Sequence, residues 1–181
     1  MELVEPIRNK EAIEAVKSIL RSNGIRDYLL FLMGINVGLR ISDILKLKVC
    51  DVKNKEYISV KEKKTGKLKR FPVTDSFRYV LEEYIKYKQP EDWLFKSQRG
   101  DKPITRIQAY RIINNACYKA GITTNIGTHT LRKTFGYHFY QENKDVALLQ
   151  CIFNHSTPSI TLKYIGINQD IIDSSLRAFA L

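Results

Sequence analysis

Apolar positions recur along most of this chain with the spacing of helices. Ile13, Val16 and Leu20 share one face of a segment that Asn9 can cap and Gly24 can end, which predicts a helix to about Asn23. From about Arg26 to Val37 the chain is apolar almost all round, so the second helix lies in the core, and Gly38 ends it. Arg40 leaves that buried element and leads into a helix from Ser42 to about Leu47. Glu56 to Lys61 and Lys69 to Val73 alternate instead, with Ile58 and Val60 on one face, and Lys64-Thr65-Gly66-Lys67 turns them into a hairpin. Thr74 caps an amphipathic helix to about Lys88, built on Phe77, Val80, Leu81, Tyr84 and Ile85. Trp93, Leu94 and Phe95 form either a short third strand or a packed corner.

The second half is helical throughout. Thr105 caps a helix to Ala120, with Gly121 as its stop. Thr128 caps the next, which keeps Leu131, Phe135 and Phe139 on the core side and His138 in a structural place. Asp145 to Phe153 reads as a short apolar helix. Thr157 caps and Pro158 opens another, in which Ile160 or Leu162 packs inward and Lys163 faces solvent. Asn168 to Leu181 forms a last short helix with Ile172, Leu176 and Phe179 on one side. The pattern as a whole predicts a predominantly α-helical α+β fold with a small antiparallel sheet.

Composition narrows the partner. The 181 residues make one domain, and 44% hydrophobic with 27% charged residues is ordinary for a globular protein. A net charge of +11 calls for a polyanion, nucleic acid rather than membrane. The apolar run from Tyr28 to Leu39 is shorter than the roughly 20 residues a bilayer needs. Cys50, Cys117 and Cys151 lack metal-site spacing and read as reduced, mostly buried thiols of a cytoplasmic protein. Cys151 and His155 could share a helix face, but no further ligands gather there, so core packing is the better reading and no metal is expected. The chain opens on no signal peptide and shows no repeat, low-complexity tract or phosphate-binding G-x-x-x-x-G-K-[ST] loop.

Basic residues crowd the hairpin: Lys61, Lys63, Lys64, Lys67, Lys69 and Arg70. They form either a solvated tip or one that reaches a DNA groove. Arg99, Lys102, Arg106, Arg111, Lys119 and Lys133 add further candidate phosphate contacts. Chemistry concentrates between Asn125 and Gly166, where His129 and Arg132 stand three apart, His155 sits in Asn154-His155-Ser156, and Tyr164 follows nine residues later. Arg grips phosphate oxygens as a fork, His moves a proton near neutral pH, and a Tyr oxygen can attack phosphorus. No trio of carboxylates accompanies the histidines, which argues against a two-metal nuclease. Arg40, taken alone, reads more readily as a structural cation tying the helix ends to Asp43 than as a phosphate clamp.

Taken together and in order, these residues resemble the tyrosine recombinases of the phage integrase family. The likeness rests on Gly38-Leu39-Arg40-Ile41-Ser42-Asp43, Lys64 in Lys63-Lys64-Thr65-Gly66, His129-Thr130-Leu131-Arg132, Asn154-His155-Ser156 and Tyr164, and it covers nearly the whole chain. Asn154 stands where the family usually has Gly. The resemblance implies the fold of DNA breaking-rejoining catalytic domains and a site of Arg40, Lys64, His129, Arg132, His155 and Tyr164, with Asp43 in support. It implies Tyr164 as nucleophile giving a 3′-phosphotyrosine, Lys64 as general acid, His129 as proton acceptor and His155 as a donor to the phosphate. No cofactor, ATP or metal is expected. The implied partners are a double-stranded recombination site, contacted by Lys61, Lys63, Lys67, Lys69, Arg70, Arg106 and Lys133, and further protomers in a tetrameric synapse. Residues 1–181 are expected to be a single catalytic domain without the family's N-terminal DNA-clamping domain, its terminal helix covering its own core or docking on a neighbour. Type IB topoisomerase-like relaxation and a non-catalytic DNA-binding accessory role are the alternatives.

Overall fold

The computed structural model describes residues 4–62 and 66–179, without the side chains of 76, 168–172 and 175. In chain order it contains α1 (Lys10–Asn23), α2 (Ile25–Val37), α3 (Ile41–Ile44), β1 (Tyr57–Lys61), β2 (Leu68–Pro72), α4 (Asp75–Ile85), α5 (Arg106–Lys119), α6 (Thr130–Asn143), α7 (Val146–Phe153), α8 (Pro158–Ile165) and α9 (Ile167–Ala178). The fold is mostly helical with one antiparallel hairpin, as the periodicities predict.

α2 is the hub because it has no polar face. Leu29, Leu30, Phe31, Leu32, Met33 and Val37 are all buried, and α1, α3, α4 and α6 pack around them. α1 lays Ile13, Val16 and Leu20 into this core, its first turn capped by Asn9 Oδ1 accepting from Ala12 N at 2.7 Å. The α2–α6 crossing is close because position 34 has no side chain; a Cβ there would overlap Leu131. The hairpin pairs Tyr57 with Pro72 and Lys61 with Leu68, burying Ile58 and Val60 on one face.

A second, smaller core gathers Leu149, Phe153, Ile165 and Ile167, bordered by Phe135, Tyr137, Leu162 and Tyr164. It belongs to α6, α7, α8 and the first residue of α9, and the candidate site side chains lie along its seam with the main core.

Several local expectations need correction. Trp93-Leu94-Phe95 is the packed corner, not a strand: Leu94 and Phe95 are fully buried, joined to Leu47 and Ile104 by single backbone bonds. α3 stops at Ile44 rather than Leu47, as the chain tightens into an Ile44–Leu47 turn. α4 stops at Ile85, three residues before Lys88, where an Ile85–Lys88 turn leads to Pro90. α6 begins at Thr130 with His129 in the capping position and no side-chain cap; Thr128 does not cap it, and the Thr130 hydroxyl accepts from Gly127 N–H ahead of the helix. Cys117 is buried, but Cys50 lies on a surface turn and Cys151 on the outer side of α7. Leu162 turns inward and Ile160 stays exposed. On α9, Leu176 and Phe179 are 66% and 71% exposed, so they do not cover this chain's core; the side chain of Ile172 lies outside the described residues.

Gly38 answers two demands at once. It ends α2 in the left-handed region at φ +61°, and the Phe135 ring lies where its Cβ would be. Gly38→Ala is expected to lose about 1–2 kcal/mol from the left-handed backbone alone, and more from displacing Phe135. Gly121→Ala, at φ +76° with open space around it, supplies the strain without the overlap. Urea midpoints should therefore fall further at position 38; equal losses would show that the Phe135 contact contributes nothing.

Candidate functional site

Arg132 enters the seam from the first turn of α6 and is 2% exposed. Its Nη1 donates to Gly38 O at 2.5 Å and its Nη2 to Phe153 O at 2.9 Å. The guanidinium also stacks over the Phe153 ring, 4.4 Å from its centroid, and its charge acts on the Tyr164 phenol. Arg40, at the start of α3, donates from Nη1 to Glu62 Oε1 at 2.7 Å, and Arg132 Nη1 lies 3.8 Å from the same oxygen. Two guanidiniums thus meet at one carboxylate at the end of the hairpin's first strand.

Tyr164 comes in from α8. His129 Nδ1 lies 3.1 Å from its hydroxyl, and the His155 ring stands edge-on to it with centroids 5.1 Å apart. His155 is held by Thr161 Oγ1, 3.1 Å from its Nδ1, and by its backbone N–H to Gln150 O. Asn154, which precedes it, has the left-handed φ of +54° that ends α7; Asn accepts this conformation more readily than most residues. Its Oδ1 also accepts from Lys67 Nζ at 2.7 Å, which a glycine could not do.

The seam therefore brings together Arg40, His129, Arg132, His155 and Tyr164. Lys63 and Lys64 lie outside the described residues, and two lysines that follow them are tied to the end of α7. Lys67 reaches Asn154, and Lys69 donates to Ile152 O. Asp43 is buried at the start of α3, its backbone N–H donating to Arg40 O, while the carboxylate hydrogen-bonded to Arg40 Nη1 is Glu62. Two of the expected DNA contacts are interior instead. Lys69 is largely buried against Glu62 and Ile152 O, and Lys133, 6% exposed, donates to Val4 O and lies over the Tyr164 ring. Lys61, Lys67, Arg70 and Arg106 are exposed.

Glu62 and Thr161 were not among the expected site residues. Glu62 was legible: Ile58, Val60 and Glu62 alternate, so a strand that buries the first two aims the third inward as well. Thr161 carried no such mark. A cleft of about 770 Å³ opens beside the site, lined by Arg106, Thr128, His129, Lys133, Lys163 and Tyr164 among others. Among the described residues no group of three or more His, Cys, Asp or Glu side chains is placed to share a metal ion.

Burial and charge act together on His129 and against each other on Tyr164. His129 keeps an exposed edge, but the desolvation of its inner side, followed by the charges of Arg132 and Arg40, holds its imidazole below 6.5. Burial raises the Tyr164 phenol above 10.0, with Arg132 and Arg40 opposing. Burial also lowers Lys69, against the pull of Glu62.

The sequence model of the phage integrase family matches residues 6–170. The chain belongs to this family, the tyrosine-type site-specific recombinases. It is 51% identical to the probable integrase/recombinase YoeC of Bacillus subtilis over 99% of this chain and 98% of the other. Its fold is similar to the crystal structure of XerA recombinase, with a TM-score of 0.76 at 21% identity over 94% of this chain and 64% of that one. It is also similar to a lambda integrase tetramer bound to a Holliday junction, with a TM-score of 0.72 at 16% identity over 91% of this chain and 49% of that one. No helix among the described residues is long and apolar enough to cross a membrane.

A histidine favoured as neutral in the fold binds fewer protons than in the unfolded chain. Its contribution to stability is complete above about pH 6.5 and is lost as pH falls through the folded value. An NMR titration of His129 is expected to give a midpoint below 6.5, and Arg40→Gln should move it upward by removing a nearby positive charge. A midpoint at or above 6.5 in the unaltered protein would contradict this electrostatic account.

Proposed function

We propose that this recombinase cleaves and rejoins DNA strands through a covalent bond between Tyr164 and a 3′ phosphate. The observation that carries the reading is the Tyr164 hydroxyl 3.1 Å from His129 Nδ1, within the positive field of Arg132 and Arg40. Nucleophile, proton acceptor and phosphate ligand then share one point. In the tautomer with the proton on Nε2, His129 Nδ1 accepts the phenolic proton as the oxygen attacks phosphorus. Arg40 and Arg132 take the non-bridging oxygens, where charge grows in the transition state. His155, its Nδ1 engaged by Thr161, donates to the phosphate from Nε2. The bond from phosphorus to the 5′ oxygen breaks, and Lys64 protonates the leaving oxygen. The new ester conserves the energy of the old one, so a 5′ hydroxyl can reverse the step without ATP, and the two guanidiniums supply the charge a metal would otherwise bring.

A free phenol at neutral pH is about 3 pKa units, or roughly 4 kcal/mol, from its anion. Burial deepens that deficit here, so proton transfer to His129 must accompany attack. We place the reaction in the cytoplasm, on a double-stranded recombination site, in a tetrameric synapse. The outward-facing Leu176 and Phe179 of α9 are the natural contact with a second protomer.

Tyr164→Phe is expected to fold and bind DNA but to yield no protein–DNA adduct on a nicked suicide duplex, with or without magnesium. An adduct that persists, or that maps to Tyr137 or Tyr140, would overturn the assignment. Arg132→Lys keeps the charge but not the fork, and losing a transition-state contact of about 3 kcal/mol would slow cleavage on the order of a hundredfold. Some stability should go with it, because Gly38 O and Phe153 O lose a shared donor.

Removing residues 168–181 is expected to leave a folded monomer by circular dichroism that no longer forms multimers on DNA in native gels. Loss of folding would instead make α9 part of this chain's own core.

A further inference from the structure

Glu62 has the most concentrated charge environment among the described residues outside the expected catalytic set. Its side chain is 0% exposed, and one oxygen, Oε1, faces Arg40 Nη1 at 2.7 Å, Lys69 Nζ at 3.4 Å and Arg132 Nη1 at 3.8 Å. It also closes the hairpin, its N–H donating to Lys67 O and its carbonyl accepting from Gly66 N. Lys69 in turn is fastened to the end of α7. A buried ion pair is weak evidence for stability, since desolvation offsets much of the attraction. This carboxylate does something an apolar residue could not: it places a negative charge beside two like-charged guanidiniums.

We propose that Glu62 is the positioning residue of the phosphate site. Its carboxylate holds Arg40 and Arg132 in register and offsets their mutual repulsion, leaving the excess positive charge for a DNA phosphate. The inference rests on the reaction proposed above, in which both arginines bind the scissile phosphate.

The test compares Glu62→Gln, which keeps shape and removes charge, with Glu62→Asp, which keeps charge and withdraws it by one methylene. Single-turnover adduct formation on the nicked duplex should slow on the order of 10- to 100-fold in the Gln variant through lost alignment. Duplex affinity should equal or exceed that of the unaltered protein, and the Asp variant should recover part of the rate. A Gln variant that cleaves at the unaltered rate overturns the proposal. So does one that loses rate, binding and thermal stability together with no recovery by Asp, which would make Glu62 a structural ion pair only.

A second measurement does not need catalysis. Inorganic phosphate should raise the melting temperature of Glu62→Gln more than that of the unaltered protein, because the cations are then less compensated. An equal or smaller rise overturns the proposal. If the unaltered protein forms no adduct, the proposed reaction falls while the phosphate comparison still decides the role of Glu62. If the Gln variant does not fold, the Asp variant decides it: slowed cleavage with near-normal binding supports the proposal, and an unchanged rate overturns it.

Discussion

One buried guanidinium joins the two cores. Arg132 bonds the carbonyl of Gly38, just past the end of α2, and that of Phe153, the last residue of α7. Both lie at helix C-termini, where carbonyls have no partner within the helix and carry the negative end of its dipole. Two helix ends therefore converge on a single cation, and each is turned toward it by a left-handed cap, Gly38 in one case and Asn154 in the other. Stacking on Phe153 fixes the plane of the group. The orientation of Arg132 is consequently a property of the fold, present before any ligand arrives. Tyr164, Arg40 and the hairpin are placed relative to it.

The same burial that fixes Arg132 governs the groups around it. Desolvation pushes His129 down and Tyr164 up, so both are neutral in the DNA-free protein at neutral pH. A phenol bonded to a neutral imidazole is at rest. In the proposed reaction it becomes a nucleophile only when a phosphate enters and the proton moves as the new bond forms. The site is thus assembled without being self-activating, which limits attack on anything that does not also occupy the arginines.

Much of this was legible in the sequence, and the parts that were not have physical causes. α1 and α4 follow from apolar spacing because each has one face to bury, and α2 because it is apolar almost all round. Arg40, His129, Arg132, His155 and Tyr164, which the structure brings together, were singled out by their order and the family resemblance, since apolar spacing alone does not distinguish one tyrosine of ten. Lys69 and Lys133 are interior although charge suggests surface, because a long side chain can bury its stem and end on a carbonyl, as these do on Ile152 and Val4. Glu62 was overlooked for the opposite reason. In a stretch crowded with lysines, one acid looks like a solvated counter-ion, yet the alternation that buried Ile58 and Val60 had already placed it inside.

Those interior cations change how the net charge of +11 should be understood. Part of it is not spread over a surface that slides along DNA. Lys69 and Lys133 are lowered by burial, and Arg132 is too, so each bears a desolvation cost that its partners only partly offset. One oxygen of Glu62 faces Arg40, Lys69 and Arg132 together. A phosphate brought to this point would relieve repulsion already built into the folded chain. That relief is largest for a ligand that reaches both arginines at once, and it is absent for one that stays at the exposed Lys61, Lys67 or Arg70. Surface charge can bring any polyanion close; only a phosphate delivered into the seam completes the electrostatics of the interior.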